Sequence, residues 1–312
     1  MKRLEKTLVL GFVSFVCSLL AESPTYGDDI YVENIRGNNV VKIDSSGSVS
    51  IFAPILVNAT NPQGIAIDSS GNVYVAYYGA NLIEKYDPSG QGTVFATKST
   101  GANNATGLAF DANGNLYAAD YQDYSIVKFD SGGHGSVFFN TGLRDPYALA
   151  FDNSGNLYVA NYGSNTVVKV DSSGHGTVFA DASSGLDGPS GLAFDTSGNL
   201  YVASVDNNTI YKFDSSGGGS VFADATSGLF YPHGLAFGSS GSLYVANYGG
   251  NTIEEFDSSG NGFVLADRAS GVDGPGALAV IVPEPANWIL VVMGFGGLLA
   301  SGLVSRRLGQ SG

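Results

Sequence analysis

The stretch that decides the fold runs from residue 148 to residue 190, ALAFDNSGNLYVANYGSNTVVKVDSSGHGTVFADASSGLDGPS. It contains four short runs of apolar and β-branched residues, ALAF, LYVA, TVVKV and TVFA. The segments between these runs are rich in Gly, Asn, Asp and Ser, which favour turns because Gly adopts positive φ and the polar side chains bond to nearby backbone. The pattern predicts four antiparallel strands that form one small sheet.

This unit recurs along most of the chain. Equivalent opening strands begin at residues 64, 107, 148, 191, 234 and 277, which are 43, 41, 43, 43 and 43 residues apart. A period in the forties with four strands per unit is typical of a β-propeller blade. The sequence therefore predicts an all-β, six-bladed β-propeller of four-stranded antiparallel blades over residues 28–282.

The two ends of the repeat region supply complementary parts of one blade. Residues 28–63 contain only the later strands of a unit, IYVEN, VVKID and SVSIF, whereas residues 277–282 form an opening strand with nothing after it. We expect this last strand to pair with the strand around residues 30–33, which closes the ring and removes exposed sheet edges. The chain then enters and leaves the ring at the same face.

The first 27 residues have the pattern of a signal peptide. Lys2, Arg3 and Lys6 precede an apolar stretch at residues 7–20. We expect cleavage between residues 21 and 27, followed by export through the inner membrane. The single cysteine, Cys17, lies in the apolar stretch, so the mature chain is expected to contain no disulfide.

Residues 283–312 have three parts in a fixed order. Pro283, Glu284 and Pro285 precede an uncharged apolar stretch at residues 286–304, which is followed by Arg306 and Arg307. The stretch is long enough to span a bilayer as a helix, and the Arg pair is expected to stay cytoplasmic. This order resembles the PEP-CTERM sorting signal of exopolysaccharide-producing Gram-negative bacteria. The resemblance implies processing by an exosortase-type protease, a transient membrane anchor, and a final place at the cell surface or in the extracellular matrix. A plain tail anchor is the alternative.

The charge of the repeat region excludes some partners. Residues 28–282 contain 9 basic and 25 acidic side chains, a net charge of −16. Nucleic acid and anionic lipid surfaces are therefore poor partners. Most of the acids stand in turns of nearly identical sequence, such as Asp68 and Asp111, where a structural turn is expected and a calcium loop is the alternative.

Loops on one face of the ring vary from blade to blade. With the strands of each blade named a to d from the axis outward, the d-to-a and b-to-c loops share this variable face, and the a-to-b and c-to-d loops share a uniform face. Residues just before strand a and just after strand b should surround the mouth of the central channel, where a site is most easily built on a repetitive scaffold. We predict a ligand-binding site at Gln63, Tyr77, Asp120, Tyr147, Asn161, Ser190, His233 and Asn247.

The repeat resembles NHL-type propellers, and LYVANYGSNTVVKVD resembles the YVTN-type repeat of surface proteins. The segment YPHGLA at residues 231–236 resembles the Pro-His-Gly step of the streptogramin-lyase propellers, which implies His233 as a catalytic base. Those lyases also need acidic and His partners and a metal. This chain has three His, and His134 and His175 are expected in c-to-d turns on the uniform face. A polar loop residue is the alternative for His233.

We therefore expect an exported, surface-directed propeller that acts as a non-enzymatic binding or interaction module, linked to exopolysaccharide or biofilm matrix. Its expected partners are a polysaccharide or another surface protein, and no cofactor or metal is expected. One alternative is an NHL-type lyase or a lactone hydrolase with a divalent metal in the channel, and another is a structural matrix component. The sequence contains no nucleophile elbow, phosphate loop or cluster of His and Cys at metal-binding spacing.

Overall fold

The computed structural model describes residues 27–54 and 61–282. The expected signal peptide apart from Gly27, and the tail with Pro283, Glu284, Pro285, Arg306 and Arg307, lie outside the described residues. Within the two described ranges, no helix has the length and apolar character needed to cross a membrane.

The described chain forms six sheets of four antiparallel strands, one per blade. Blade 1 contains β1 (Asp29–Asn34), β2 (Asn39–Ile43) and β3 (Val49–Pro54), together with β24 (Pro275–Ile281) as its strand a. Blade 2 contains β4 (Pro62–Ile67), β5 (Val73–Tyr77), β6 (Leu82–Tyr86) and β7 (Gly92–Thr97). Blade 3 contains β8 (Ala105–Phe110), β9 (Leu116–Asp120), β10 (Ser125–Phe129) and β11 (Gly135–Phe139).

The remaining three blades repeat the same order. Blade 4 contains β12 (Pro146–Phe151), β13 (Leu157–Asn161), β14 (Thr166–Val170) and β15 (Gly176–Ala180). Blade 5 contains β16 (Pro189–Phe194), β17 (Leu200–Ser204), β18 (Thr209–Phe213) and β19 (Gly219–Ala223). Blade 6 contains β20 (Pro232–Phe237), β21 (Leu243–Asn247), β22 (Thr252–Phe256) and β23 (Gly262–Ala266). Short 3-10 helices cover Lys98–Thr100, Tyr162–Ser164, Ala182–Ser184, Ala225–Ser227 and Arg268–Ser270.

The expected closure of the ring is confirmed. Strand β24 pairs antiparallel with β1, with Ile30 opposite Val280 and Asp29 opposite Ile281. Because Asp29 begins the first strand and Ile281 ends the last, the described chain enters and leaves the ring at the same face. Blade 1 is therefore a complete four-stranded sheet like the other five, and within the described residues every inner strand is paired.

Aromatic side chains join each blade to the next. Tyr158 on β13 makes edge contacts with Phe179 on the outer strand of its own blade and with Phe194 on the inner strand of blade 5, each at a ring-centroid distance of 5.0 Å. Tyr74, Tyr117 and Tyr201 make the equivalent pairs of contacts. Edge-to-face pairs add to the stabilisation from burial, so the repeated tyrosine holds the sheets at a constant spacing.

The repeated a-to-b turns are built around an Asp carboxylate. In blade 4, Asp152 Oδ1 accepts from the backbone N–H groups of Ser154 and Asn156, both at 2.9 Å. Lys169 lies 3.6 Å from the same carboxylate and 5.2 Å from the Tyr158 ring centroid. The carboxylate therefore serves a structural turn of the uniform face, as predicted, and the contacts of Lys169 add to it.

The two exposed histidines also stand in turns. His134 and His175 donate their backbone N–H groups to Asp130 and Asp171 in c-to-d turns. Their rings lie beside the same carboxylates and are largely exposed. Neither histidine reaches the channel, as expected from the sequence.

Blade 6 lacks the turn carboxylate, because Gly238 occupies its position. Asp28, the residue before β1, supplies a carboxylate there instead. Its carboxylate accepts from the backbone N–H of Ser239 at 3.0 Å and from the Tyr244 hydroxyl at 3.3 Å, and the residue is 5% exposed. The N-terminal end of the propeller thus also fastens blade 1 to blade 6.

Replacing Asp28 with Ala is expected to lower the free energy of unfolding by roughly 1–3 kcal/mol, because it leaves the buried Tyr244 hydroxyl and the Ser239 N–H without this acceptor. Asp29→Ala is the matched control. The Asp29 carboxylate lies 2.7 Å from the Lys42 ammonium, but both side chains are about one-third exposed, so the control should lose less than about 1 kcal/mol. Equal losses in chemical denaturation would contradict the role given to Asp28.

Candidate functional site

The inner strands approach one another closely around the axis. A Cβ atom on Gly64 would collide with the backbone carbonyl of Thr106, and one on Gly191 would collide with that of His233. Small residues at this position therefore permit a narrow channel, with a cavity volume of about 70 Å³. Backbone and short side chains form most of its wall, so chemistry depends on the few polar residues that enter it.

Four of the predicted site residues line this channel, namely Gln63, Tyr147, Ser190 and His233. Each occupies the second position of its strand a, where the register with strand b shifts by a β-bulge. A bulge leaves one residue out of the ladder and turns its side chain away from the sheet. This local geometry explains why these side chains point toward the axis.

Hydrogen bonds connect three of these side chains across the mouth. The Tyr147 hydroxyl donates to Gln63 Oε1 at 2.6 Å and lies 3.4 Å from His233 Nδ1. The Tyr147 hydroxyl donates its one proton to Gln63, so its oxygen acts as the acceptor toward His233. The proton of the neutral imidazole then lies on Nδ1, and Nε2 is the unprotonated nitrogen. Burial lowers the pKa of His233 to about 4, so the imidazole is neutral at physiological pH.

A second cavity opens beside the channel mouth on the variable face. Its volume is about 280 Å³, and we call it the tyrosine cavity. It is lined by Tyr121, Tyr147, Tyr162, Ser190, Val205, Asp206, Tyr231 and His233. The Tyr162 hydroxyl donates to Asp206 Oδ2 at 3.2 Å, and the Tyr147 and Tyr162 rings lie 6.2 Å apart. The cavity therefore combines several apolar ring faces with hydroxyl, carboxylate and imidazole groups.

The other four predicted residues do not line the channel or the tyrosine cavity. Tyr77, Asp120, Asn161 and Asn247 are the last residues of strand b in their blades, and all are at most 4% exposed. Asn161 accepts from Arg144 N–H at 2.6 Å and donates to Gly142 O at 3.1 Å, which fastens the d-to-a loop. Asn247 makes the same bonds in blade 6.

Tyr77 and Asp120 are also committed to internal contacts. The Tyr77 hydroxyl lies 2.8 Å from that of Tyr86, which bonds to the buried Glu84 carboxylate. Asp120 accepts from the Asp123 N–H at 3.0 Å, and burial raises its pKa to about 6. The prediction that these strand ends surround the channel mouth was therefore wrong for all four residues.

The predicted positions differ by one residue from those that face the mouth. Successive residues of a strand point to opposite sides, so the residue after each buried strand end faces the mouth. That position holds Tyr78, Tyr121, Tyr162, Val205 and Tyr248 in blades 2 to 6. Three of these residues line the tyrosine cavity, and Tyr78 contacts Tyr121 at a centroid distance of 5.8 Å. Recurrent Tyr at one register was the sequence signal that could have identified them.

A buried carboxyl group lies behind the channel wall. Glu33 on β1 is 0% exposed, its Oε2 accepts from Ala277 N–H at 3.3 Å, and its Oε1 has no hydrogen-bond partner. The equivalent position in the other five blades is Ala. Burial raises the pKa of Glu33 well above its usual range, so the group resists ionisation.

The residues around His233 do not fit a divalent metal. Within the described part of the chain, no three His, Cys, Asp or Glu side chains come together as potential ligands. The aromatic neighbours of His233 are Tyr147 and Tyr248, whose ring centroids lie 5.8 and 5.2 Å from that of the imidazole. A hard divalent cation requires several oxygen or imidazole ligands, which this site does not supply.

Comparison with known proteins identifies the family. The sequence profile of the Virginiamycin B lyase family matches residues 52–272. The chain belongs to this family. No curated protein matches the chain significantly. The family match is consistent with the resemblance of the segment around His233. Among the described residues, no second His and no carboxylate is hydrogen-bonded to this imidazole, although Asp206 lines the same cavity.

Solved structures share the propeller architecture. A chain of the nidogen/laminin complex has a TM-score of 0.70 and 18% identity, over 81% of this chain and 98% of that chain. Virginiamycin B lyase from Staphylococcus aureus has a TM-score of 0.54 and 18% identity, over 74% and 73%. A gluconolactonase from Xanthomonas campestris has a TM-score of 0.56 and 19% identity, over 65% and 74%. At these identities the likeness concerns the fold alone.

Proposed function

We propose that this member of the Virginiamycin B lyase family is a non-enzymatic binding module whose tyrosine cavity takes a saccharide unit of an extracellular polysaccharide. The observation that carries the proposal is the set of four tyrosines, Tyr121, Tyr147, Tyr162 and Tyr231, around one cavity. Sugar rings present apolar C–H faces and polar edges. Tyrosine offers a matching combination of a flat apolar ring and a polar tip.

The size and polarity of the cavity support a saccharide. A volume of about 280 Å³ suits one or two sugar rings, and the mouth is open along the variable face. The unprotonated Nε2 of His233 and the Asp206 carboxylate can each accept from a sugar hydroxyl. A small number of convergent polar groups in an aromatic cavity is the usual composition of a ligand site.

Tyr162→Ala is expected to weaken saccharide binding by about tenfold or more, because it removes one ring face from the cavity. Binding is measured by affinity electrophoresis and calorimetry against polysaccharides and their oligomers. Phe263→Ala is the matched control, since Phe263 is a 57% exposed aromatic on the outer strand β23, far from strand a. Unchanged affinity in Tyr162→Ala would argue against the tyrosine cavity as the binding site.

Membership of the family favours lyase activity as a second candidate, with His233 Nε2 as the base. The notable difficulty is that His233 has no carboxylate partner and no metal ligand set around it among the described residues. A general base needs an orienting partner, and Tyr147 is the group that fills this position here. Turnover of a cyclic ester or lactone that is abolished in His233→Ala would favour this candidate over binding alone.

Export and surface attachment belong to the same proposal. We infer from the signal-peptide pattern and the three-part tail that the chain crosses the inner membrane of a Gram-negative bacterium, is anchored transiently, and is released by an exosortase-type protease to the cell surface or matrix. A polysaccharide ligand fits this destination. The strong negative charge of residues 28–282 and the absence of reactive cysteine from that range suit an exported, soluble domain.

A further inference from the structure

Asp206 gives the tyrosine cavity a negatively charged group. Among the described residues that line the cavity, Asp206 is the one carboxylate, and neither Lys nor Arg is present. The Tyr162 hydroxyl donates to this carboxylate, which retains capacity for further donors because an ionised carboxylate accepts about four hydrogen bonds. A protonated amine on the ligand would find a partner there.

The remaining lining groups do not oppose a positive charge. The His233 imidazole is neutral at physiological pH, and Tyr147 and Tyr162 have pKa values raised by burial, so their hydroxyls stay protonated. The faces of neutral tyrosine rings attract cations through their quadrupole. Tyr231 is 44% exposed and leaves its ring available at the edge of the cavity.

The net charge of the whole domain also favours a cationic ligand. Residues 28–282 carry a net charge of −16, which attracts cationic ligands and repels polysaccharides rich in uronic acid. Two arginines stand near this face, and neither is among the described residues that line the cavity. Arg144, on the loop before β12, is exposed. Arg36 stacks over Tyr248 at 4.5 Å and bonds to Asn251, so it does not offset Asp206 in the cavity.

We propose that the saccharide unit bound in the tyrosine cavity carries a free amino group, as in a glucosamine-containing polysaccharide. The ammonium group contacts Asp206 and the face of a neighbouring tyrosine, while the sugar ring packs on the other aromatic rings. This inference rests on the proposed saccharide-binding function and names the class of sugar. Uncharged and acidic sugars should bind less tightly at the same site.

The test compares three oligosaccharides of equal length, made of glucosamine, of N-acetylglucosamine and of galacturonic acid. Binding to the full chain is measured by calorimetry below the pKa of the sugar amine, at low and at high salt. We expect the glucosamine oligomer to bind about tenfold more tightly than the acetylated one, with the difference reduced by salt. We expect the galacturonic acid oligomer to bind least tightly.

Asp206→Asn should remove the preference for the amine, so that the amino and the acetylated oligomer bind this variant with similar affinities. Asp187→Asn is the matched control, because Asp187 is an exposed carboxylate on a neighbouring loop that does not line the cavity. It changes the net charge equally and should keep the preference. Equal affinities for the amino and acetylated oligomers would overturn the inference but not the proposed function. Failure of every oligomer to bind would overturn both.

Discussion

A chain that ends at Gly276 is expected to unfold roughly 10 °C or more below a chain that ends at Val282. The six residues between these ends form most of β24, the inner strand of blade 1. Their loss exposes the edge of β1 and removes Leu278, which is 6% exposed and packs in the core between blades 6 and 1. Loss of such a side chain alone is worth about 2–5 kcal/mol, before the broken ladder is included.

The two truncations form a matched pair, because both lack residues 283–312 and differ only in the closing strand. Melting is followed by circular dichroism and by calorimetry at the same protein concentration. The shorter chain should also associate, since an unpaired inner edge is a template for another strand. Equal melting temperatures would show that the ring does not depend on pairing between β1 and β24.

Glu33→Ala is expected to stabilise the protein at neutral pH by roughly 1–3 kcal/mol, because it removes a buried carboxyl with an unpartnered oxygen. The other five blades carry Ala at this position, so the variant restores the packing of the repeat. Few substitutions of a buried residue increase stability, which makes the direction of the effect informative.

The stability gained in Glu33→Ala should depend on pH. Because burial raises the folded-state pKa of Glu33, ionisation favours the unfolded state. Wild-type stability relative to the variant is therefore expected to fall as pH rises from the unfolded value, about 4.3, through the folded-state pKa. The stability difference between wild type and Glu33→Gln should change with pH in the same way, and this variant retains the size of the side chain. A stability difference that is constant between about pH 4 and pH 8 would contradict this account.

The architecture was predictable from the sequence because its determinants are local. Each turn between strands carries its own Gly, Asn or Asp, and each strand its own β-rich run, so the blades can be counted along the chain. The missing strand at one end and the extra strand at the other then predict ring closure. The turn carboxylates, such as Asp152, and the turn histidines, such as His175, were also placed correctly, since their roles depend on neighbours within five residues.

The candidate site was only half predictable. The four residues at the second position of strand a reach the channel because a bulge turns them out of the ladder. The four at the end of strand b are buried, and the tyrosines that follow them face the mouth instead. A shift of one residue reverses the side on which a strand residue lies, and a 43-residue repeat does not indicate which side is used.

Sequence by itself determined the number of blades, the order of strands and the faces on which the loops lie. The tertiary structure decided which side chains meet. It brings Tyr121, Tyr162 and Tyr231 from three blades to one cavity, places Asp28 in the turn that lacks its own carboxylate, and buries Glu33 where other blades have Ala. These contacts join residues far apart in the chain, and their formation depends on the closed ring, because only closure fixes the distances between blades.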